Sequence, residues 1–123
     1  VDGAMFRQPI PGMSNSAGYL TLTNVSANDV VLVSASSDIA NRVEFHDHEM
    51  KNGVMKMFKV DQLTIKAKQS LTFESGGLHV MFLGLNDINP EQKEVITEFM
   101  TDNGIVVPVT FSMKSIHQHH SNH

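Results

Sequence analysis

Histidine and methionine are the residue types in this sequence most able to carry chemistry. The chain holds seven His and eight Met among 123 residues, against one Tyr, no Trp and no Cys. Without cysteine, disulfide bonds, thiolate catalysis and thiolate-bound zinc are all excluded. Methionine alone is usually core filler, so the positions of these residues decide whether they act as ligands.

The Asn52-Gly53 pair predicts a tight β-hairpin, because both central residues of a type I′ turn need positive φ. With a two-residue loop, facing residues have numbers that sum to 105. The facing pairs are then Met50 with Met55, His48 with Met57, and His46 with Lys59. Since side chains alternate along a strand, His46, His48, Met50, Met55 and Met57 share one face. Lys59, opposite His46, is solvent-tolerant and does not close this face. A diagonal contact also brings Met57 within reach of His46.

A second segment, Leu78 to Leu83, places His79 and Met81 on one face and leaves Val80 and Phe82 for the core. We therefore expect these two donors on the exposed face of the strand, outside the hydrophobic interior. Thioether sulfur favours Cu(I), whereas neutral imidazole accommodates several first-row metals. A mixed Met/His set without thiolate favours copper, held mainly as Cu(I). The competing interpretation is a solvated histidine beside methionines that only pack the hairpin.

The elements that must position these donors are short β segments separated by turn residues, which predicts an all-β sandwich or barrel. The predicted segments are Gly18–Thr23, Val30–Val33, Val43–His46, Val54–Val60, Leu63–Ile65, Leu71–Phe73, Leu78–Leu83 and Ile105–Met113. Asn103-Gly104 predicts a second type I′ hairpin. Residues 91–101 are ambiguous: Asn89-Pro90-Glu91 is typical of a helix start, but the following turn favours a strand, which we prefer.

Length and composition limit the function classes. At 123 residues the chain predicts one domain, and 41% hydrophobic with 18% charged residues indicates a folded chain. A net charge of −4 argues against nucleic-acid or anionic-membrane binding. No apolar run reaches the ~18 residues of a membrane span, so we expect no membrane insertion. Because the sequence begins at Val1, we expect a processed product whose secretory signal has been removed.

The spacing His46-x10-Met57-x21-His79-x-Met81 resembles the motif of the PCuAC family of periplasmic copper chaperones. The resemblance extends from about Pro11 to Val109 through the segments 19–24, 43–46, 52–57 and 77–85. It implies a cupredoxin-like Greek-key β-sandwich whose Cu(I) ligands are His46, Met57, His79 and Met81. It further implies a non-enzymatic, periplasmic protein that supplies copper to the binuclear centre of cytochrome c oxidase subunit II. We expect a monomer.

Two departures from the family pattern add candidate ligands. His48 stands where the family often has Met, which adds an imidazole that raises tolerance for Cu(II) or Zn(II). Beyond the copper-binding domain, residues 1–113, a His-rich tail follows at 114–123. Such tails commonly bind metal, and sulfur-free imidazole ligation suits Cu(II). The second group of candidate metal ligands is His48, Met113, His117, His119, His120 and His123.

Three alternatives stay open at this point. His46, His48 and His79 could form a three-His zinc site of an enzyme, although Glu44 and Asp47 are weak general-base candidates and the methionines would then have no role. The domain could be an interaction module whose Met/His surface is incidental. Within copper handling, storage, scavenging or delivery to another copper enzyme are further alternatives.

Overall fold

The computed structural model describes residues 2–7, 14–86 and 93–114, and every regular element in these ranges is a β-strand. In chain order the strands are β1 (Asp2–Arg7), β2 (Asn15–Thr23), β3 (Val30–Ser37), β4 (Ala40–Lys51), β5 (Val54–Val60), β6 (Leu63–Ile65), β7 (Ser70–Phe73), β8 (His79–Leu85), β9 (Glu94–Thr101) and β10 (Val106–Lys114). The all-β prediction is confirmed. Nowhere in these ranges is there a helix long and apolar enough to cross a membrane.

The strands form one hydrogen-bonded system in the order β5-β4-β8-β2-β1-β10-β9-β3-β6, with β7 paired to β2. An additional pairing of β3 with β4, at Ala35 opposite Val43, closes this path into a ring. The β1–β10 pair is parallel, and the other ladders are antiparallel. The result is a barrel- or sandwich-like fold in which β5 is an edge strand beside β4.

The core lies inside this ring and is rich in phenylalanine. Phe82 packs edge-on against Phe6, with ring centroids 4.9 Å apart, and against Phe111 at 5.7 Å. Val43, Phe45, Val80 and Phe82 are the buried hydrophobic residues that β4 and β8 contribute. Since strand side chains alternate, the residues next to them in sequence, including His46 and His79, face away from this phenylalanine core.

The first hairpin has the predicted conformation. Asn52 and Gly53 both have positive φ, 54° and 77°, as a type I′ turn requires. The β4–β5 register pairs Met50 with Met55, His48 with Met57, and His46 with Lys59. The predicted facing pairs are therefore confirmed.

The second hairpin is confirmed, but its predicted turn type is wrong. The amide of Thr101 donates to the carbonyl of Ile105 at 2.9 Å, which leaves three residues in the loop. The amide of Gly104 donates to the carbonyl of Thr101 at 3.1 Å, and Gly104 has φ of 83°. This is a type I turn followed by a left-handed glycine, the usual three-residue hairpin loop.

The ambiguous segment forms strand β9, and the preference for a strand is confirmed over residues 94–101. Val95, Thr97, Phe99 and Thr101 are buried, whereas the residues between them are exposed. The helical spacing of Val95, Ile96, Phe99 and Met100 is thus accidental. The Asn89-Pro90-Glu91 signal lies outside the described residues. Strand β1, which buries Phe6 in the core, was not among the predicted segments.

Candidate metal centre

The centre of the site is a pair of histidines on neighbouring strands. His46 on β4 lies directly opposite His79 on β8, and their ring centroids are 5.9 Å apart. With metal–imidazole bonds of about 2 Å, two rings at this separation can bind one ion. The exposed fraction of His79 is only 5%, so the expectation that it lies on an open surface is wrong. It is covered by neighbouring side chains and by the turn before β8.

The carbonyl of Gly77 determines which nitrogen of His79 can bind a metal. Nδ1 of His79 lies 2.8 Å from this oxygen, and since a carbonyl only accepts, Nδ1 carries the proton and Nε2 keeps its lone pair. Burial lowers the pKa of His79, because desolvation penalises the imidazolium, while the bond to Gly77 partly opposes this shift. The ring is therefore kept neutral, which is the form that binds metals.

Glu44 determines in the same way which nitrogen of His46 can bind a metal. Nε2 of His46 lies 2.9 Å from Oε1 of Glu44, so Nε2 carries the proton. Nδ1 of the same ring is buried and has no hydrogen-bond partner among the described residues. A histidine that donates one N–H to a carboxylate and binds a metal through the other nitrogen is a common arrangement. The unsatisfied Nδ1 thus fits a metal ligand.

The pKa of the Glu44 carboxyl is lowered, chiefly by its hydrogen bond to His46. Burial opposes this shift, whereas the positive charges of Arg42 and Lys59 add to it. A guanidinium nitrogen of Arg42 lies 3.7 Å from Oε2. From the sequence alone, Glu44 is only a weak general-base candidate. Its position two residues before His46 on the same strand face was the signal that it contacts the imidazole.

The two predicted thioether ligands occupy strand positions on opposite sides of the histidine pair. Met81 follows His79 on the same face of β8 and lies opposite Glu44; it is partly buried. Met57 lies on edge strand β5 opposite His48, one diagonal step from His46, and is 47% exposed. Both residues share the face of the histidines, and Met57 is the more exposed of the two.

His48 belongs to the same cluster. Its ring stacks on His79 with centroids 5.3 Å apart and planes at 29°, and its Nδ1 lies 3.3 Å from the Gly77 carbonyl oxygen. No group of three or more His, Asp or Glu side chains is positioned to hold a metal within residues 2–7, 14–86 and 93–114. The described residues therefore give the three-His zinc site no support.

The remaining candidate ligands lie elsewhere. Met113 on β10 lies opposite Phe6 of β1 and packs, partly buried, against the core. Strands β2 and β1 separate β10 from β8. The structure therefore does not bring Met113 to the histidine pair. His117, His119, His120 and His123 lie outside the described residues.

Comparisons with known proteins agree with this fold. A family model described as "Putative lipoprotein LpqE-like" matches residues 1–114. The copper-bound PCuAC domain from PmoF2 superimposes with a TM-score of 0.76 at 17% identity, covering 93% of this chain and 90% of that one. The solution structure of CuI-DR1885 from Deinococcus radiodurans matches with a TM-score of 0.70 at 31% identity, covering 93% and 76%.

The chain therefore belongs to the LpqE-like family, and its structural neighbours include PCuAC domains. The family resemblance inferred from the sequence is confirmed. Among curated sequences, "Uncharacterized protein RP573" of Rickettsia prowazekii is 37% identical over 93 residues, 74% of this chain. The chain spans only about half of that relative's length, 51%.

Proposed function

We propose that this protein is an extracytoplasmic copper chaperone that carries Cu(I) on His46, Met57, His79 and Met81. The observation that carries the proposal is the His46/His79 pair. Glu44 and Gly77 each hold one ring nitrogen as a donor, which leaves a lone pair on the other nitrogen of each ring. Thioethers lie on both sides of this pair, and thioether sulfur selects Cu(I). Two structural neighbours named for bound copper support the same conclusion.

The donor set suits a carrier that must also release its cargo. All four ligands are neutral, so no thiolate charge holds the ion, and an acceptor with cysteine ligands can take it by ligand exchange. Met57 is half-exposed on edge strand β5, so it is the ligand most accessible to an acceptor. We propose that Met57 leaves the ion first and that His79, which is buried, leaves last.

The acceptor that we propose is the binuclear copper centre of cytochrome c oxidase subunit II. We propose further that the chaperone is a monomer and that its domain is a cupredoxin-like Greek-key sandwich. This part rests on the family resemblance. The name of the matching family, a lipoprotein family, supports a location outside the cytoplasm. Storage, scavenging and delivery to another copper enzyme are the alternatives within copper handling.

We also propose that the His-rich tail, 114–123, captures Cu(II) separately from the Cu(I) site. Imidazole without sulfur suits Cu(II). A chain truncated after Met113 should bind fewer Cu(II) ions than the full chain and the same amount of Cu(I). Unchanged Cu(II) stoichiometry would remove the tail from the proposal.

The main proposal is tested by anaerobic competition between the protein and a chromogenic Cu(I) chelator, with a parallel zinc titration. We expect one tightly bound Cu(I) per chain, weak zinc binding, and loss of tight Cu(I) binding in Met81→Leu. Met100→Leu, on the exposed face of β9, is the matched control and should bind as the parent does. Absence of tight Cu(I) binding would overturn the proposal, and a zinc-dependent turnover would favour the enzyme alternative.

A further inference from the structure

Two methionines that the four-ligand site does not use lie at the tip of the first hairpin. Met50 on β4 and Met55 on β5 are directly opposite each other. Their exposed fractions are 64% and 54%. Cross-strand partners have Cβ atoms about 4.5–5.5 Å apart, so both thioethers can reach one ion between them.

This pair continues the line of donors that ends at His46 and the buried His79. Moving along β4 from the tip toward the body of the domain, the next residue on this face after Met50 is His48, which lies opposite Met57. The one after that is His46. Because side chains alternate, all five project from one face of the hairpin. Each step along the strands is about 7 Å, a distance that flexible methionine side chains can bridge by turning toward the next pair.

Packing does not account for Met50 and Met55. Neither residue belongs to the hydrophobic core or to the partly buried side chains packed against it. The opposite face of the same hairpin carries charged residues, among them Glu49 facing Lys56. The hairpin therefore places its thioethers on the face that leads to the metal centre. The charged residue of this face on β5 is Lys59, which lies opposite His46, further from the tip than the thioethers.

We propose that Met50 and Met55 form a second, weaker Cu(I) site through which the cargo enters and leaves the main site. This inference rests on the proposed function and adds the route of exchange. Two donors make fewer bonds to the ion than four, so the ion is expected to exchange quickly from the tip. The His48/Met57 pair then lies between the tip and the His46/His79 pair.

The first test is an NMR titration with Ag(I), a soft ion that replaces Cu(I) and does not oxidise in air. The protein is labelled with ¹³C at its methionine methyl groups. We expect the first equivalent to shift the Met57 and Met81 signals. Further equivalents should shift Met50 and Met55 together in fast exchange, while Met100 stays unchanged. If Met50 and Met55 respond no more than Met100, the second site does not exist.

The second test measures the rate of Cu(I) uptake from a chelator complex by the Met50→Leu/Met55→Leu variant. Leucine keeps the apolar volume and removes the sulfur, and both positions are exposed, so the fold should be retained. We expect unchanged Cu(I) stoichiometry and affinity but uptake slowed about tenfold, within the range seen for association rates among variants of one interface. Met100→Leu should leave the rate unchanged.

The two tests separate this inference from the function on which it rests. Tight Cu(I) binding with an unchanged uptake rate in the double variant would overturn the entry route alone. Absence of tight Cu(I) binding in the parent protein would overturn the proposed function and the entry route together.

Discussion

Nε2 of His46 lies 2.9 Å from Oε1 of Glu44, and Nδ1 of the same ring is buried without a partner in the described part of the chain. On the neighbouring strand the arrangement is reversed, because Nδ1 of His79 donates to the carbonyl of Gly77. The two imidazoles are therefore held in opposite tautomers. We expect His46 to bind the metal through Nδ1 and His79 through Nε2.

Glu44→Gln tests this tautomer assignment. Because glutamine carries no charge, it holds the proton on Nε2 of His46 less firmly. Nitrogen NMR of the metal-free protein should then show a larger share of the Nδ1–H form. Loss of such a partner typically costs about 10–100-fold in metal affinity, and we expect a decrease of that size for Cu(I).

Glu49→Gln is the matched control, since it removes the same charge from the opposite face of the same strand. It should change neither the tautomer nor the affinity. Equal effects of the two substitutions would show that only the net charge matters, and the positioning role of Glu44 would be lost.

Met57→Ala and His79→Ala should both remove tight Cu(I) binding but differ in their effect on stability. Met57 is half-exposed, so its truncation should leave the free energy of unfolding nearly unchanged. His79 is buried and hydrogen-bonded, so its loss should cost about 1–3 kcal/mol. Denaturant unfolding of the metal-free variants measures the difference. Equal stability of the two would contradict the burial of His79.

The lowered pKa of His79 predicts an acid-sensitive metal-free protein. In the unfolded chain this histidine titrates near its usual pKa of about 6.5, whereas burial keeps the folded form neutral to lower pH. The unfolded state thus binds more protons in that window. The stabilising contribution is complete above about pH 6.5 and is lost as pH falls toward the lower folded pKa.

Unfolding curves of the parent and of His79→Gln, recorded across this window, isolate the contribution, because the other titrating groups are common to both. We expect the parent to lose more stability on acidification than the variant does. Proton NMR should also show His79 titrating below the usual histidine range. A normal titration of this ring would refute the prediction.

Gly18→Ala should destabilise the fold without touching the metal centre. A Cβ at this position would lie 2.9 Å from Cε2 of Phe111 and 3.0 Å from Cε1 of Phe82. Overpacking of this kind typically costs about 1–3 kcal/mol. At Gly77 the nearest atom would be 3.6 Å away, so Gly77→Ala is the control for stability. Equal melting temperatures for Gly18→Ala and Gly77→Ala would contradict the tight packing at Gly18.

The hairpin that carries half of the site is predictable from the sequence because neighbouring residues determine its structure. Asn52-Gly53 determines the turn, the turn determines the register, and the register places His48 opposite Met57. The same dipeptide at 103–104 forms a different turn, since Thr101 and Ile105 pair outside a three-residue loop. Two residues alone do not specify how many more the loop contains.

Features that depend on distant strands are not visible in the sequence. Strand β1 forms because Phe6 fills space beside Phe82, and its six residues have no strong periodicity of their own. The burial of His79 depends on neighbours from another strand, among them His48, whose ring stacks on it. The role of Glu44 follows from spacing along one strand, but only the folded geometry shows which histidine nitrogen it contacts.

X-ray absorption at the copper edge of the Cu(I)-loaded protein tests the central claim most directly, because sulfur and nitrogen neighbours scatter differently. The account predicts two sulfur and two nitrogen ligands from Met57, Met81, His46 and His79. At protein concentrations high enough to load the weakened Met57→Leu site, the sulfur contribution should decrease by half, with both nitrogens retained. A first shell of nitrogen and oxygen alone would contradict the account.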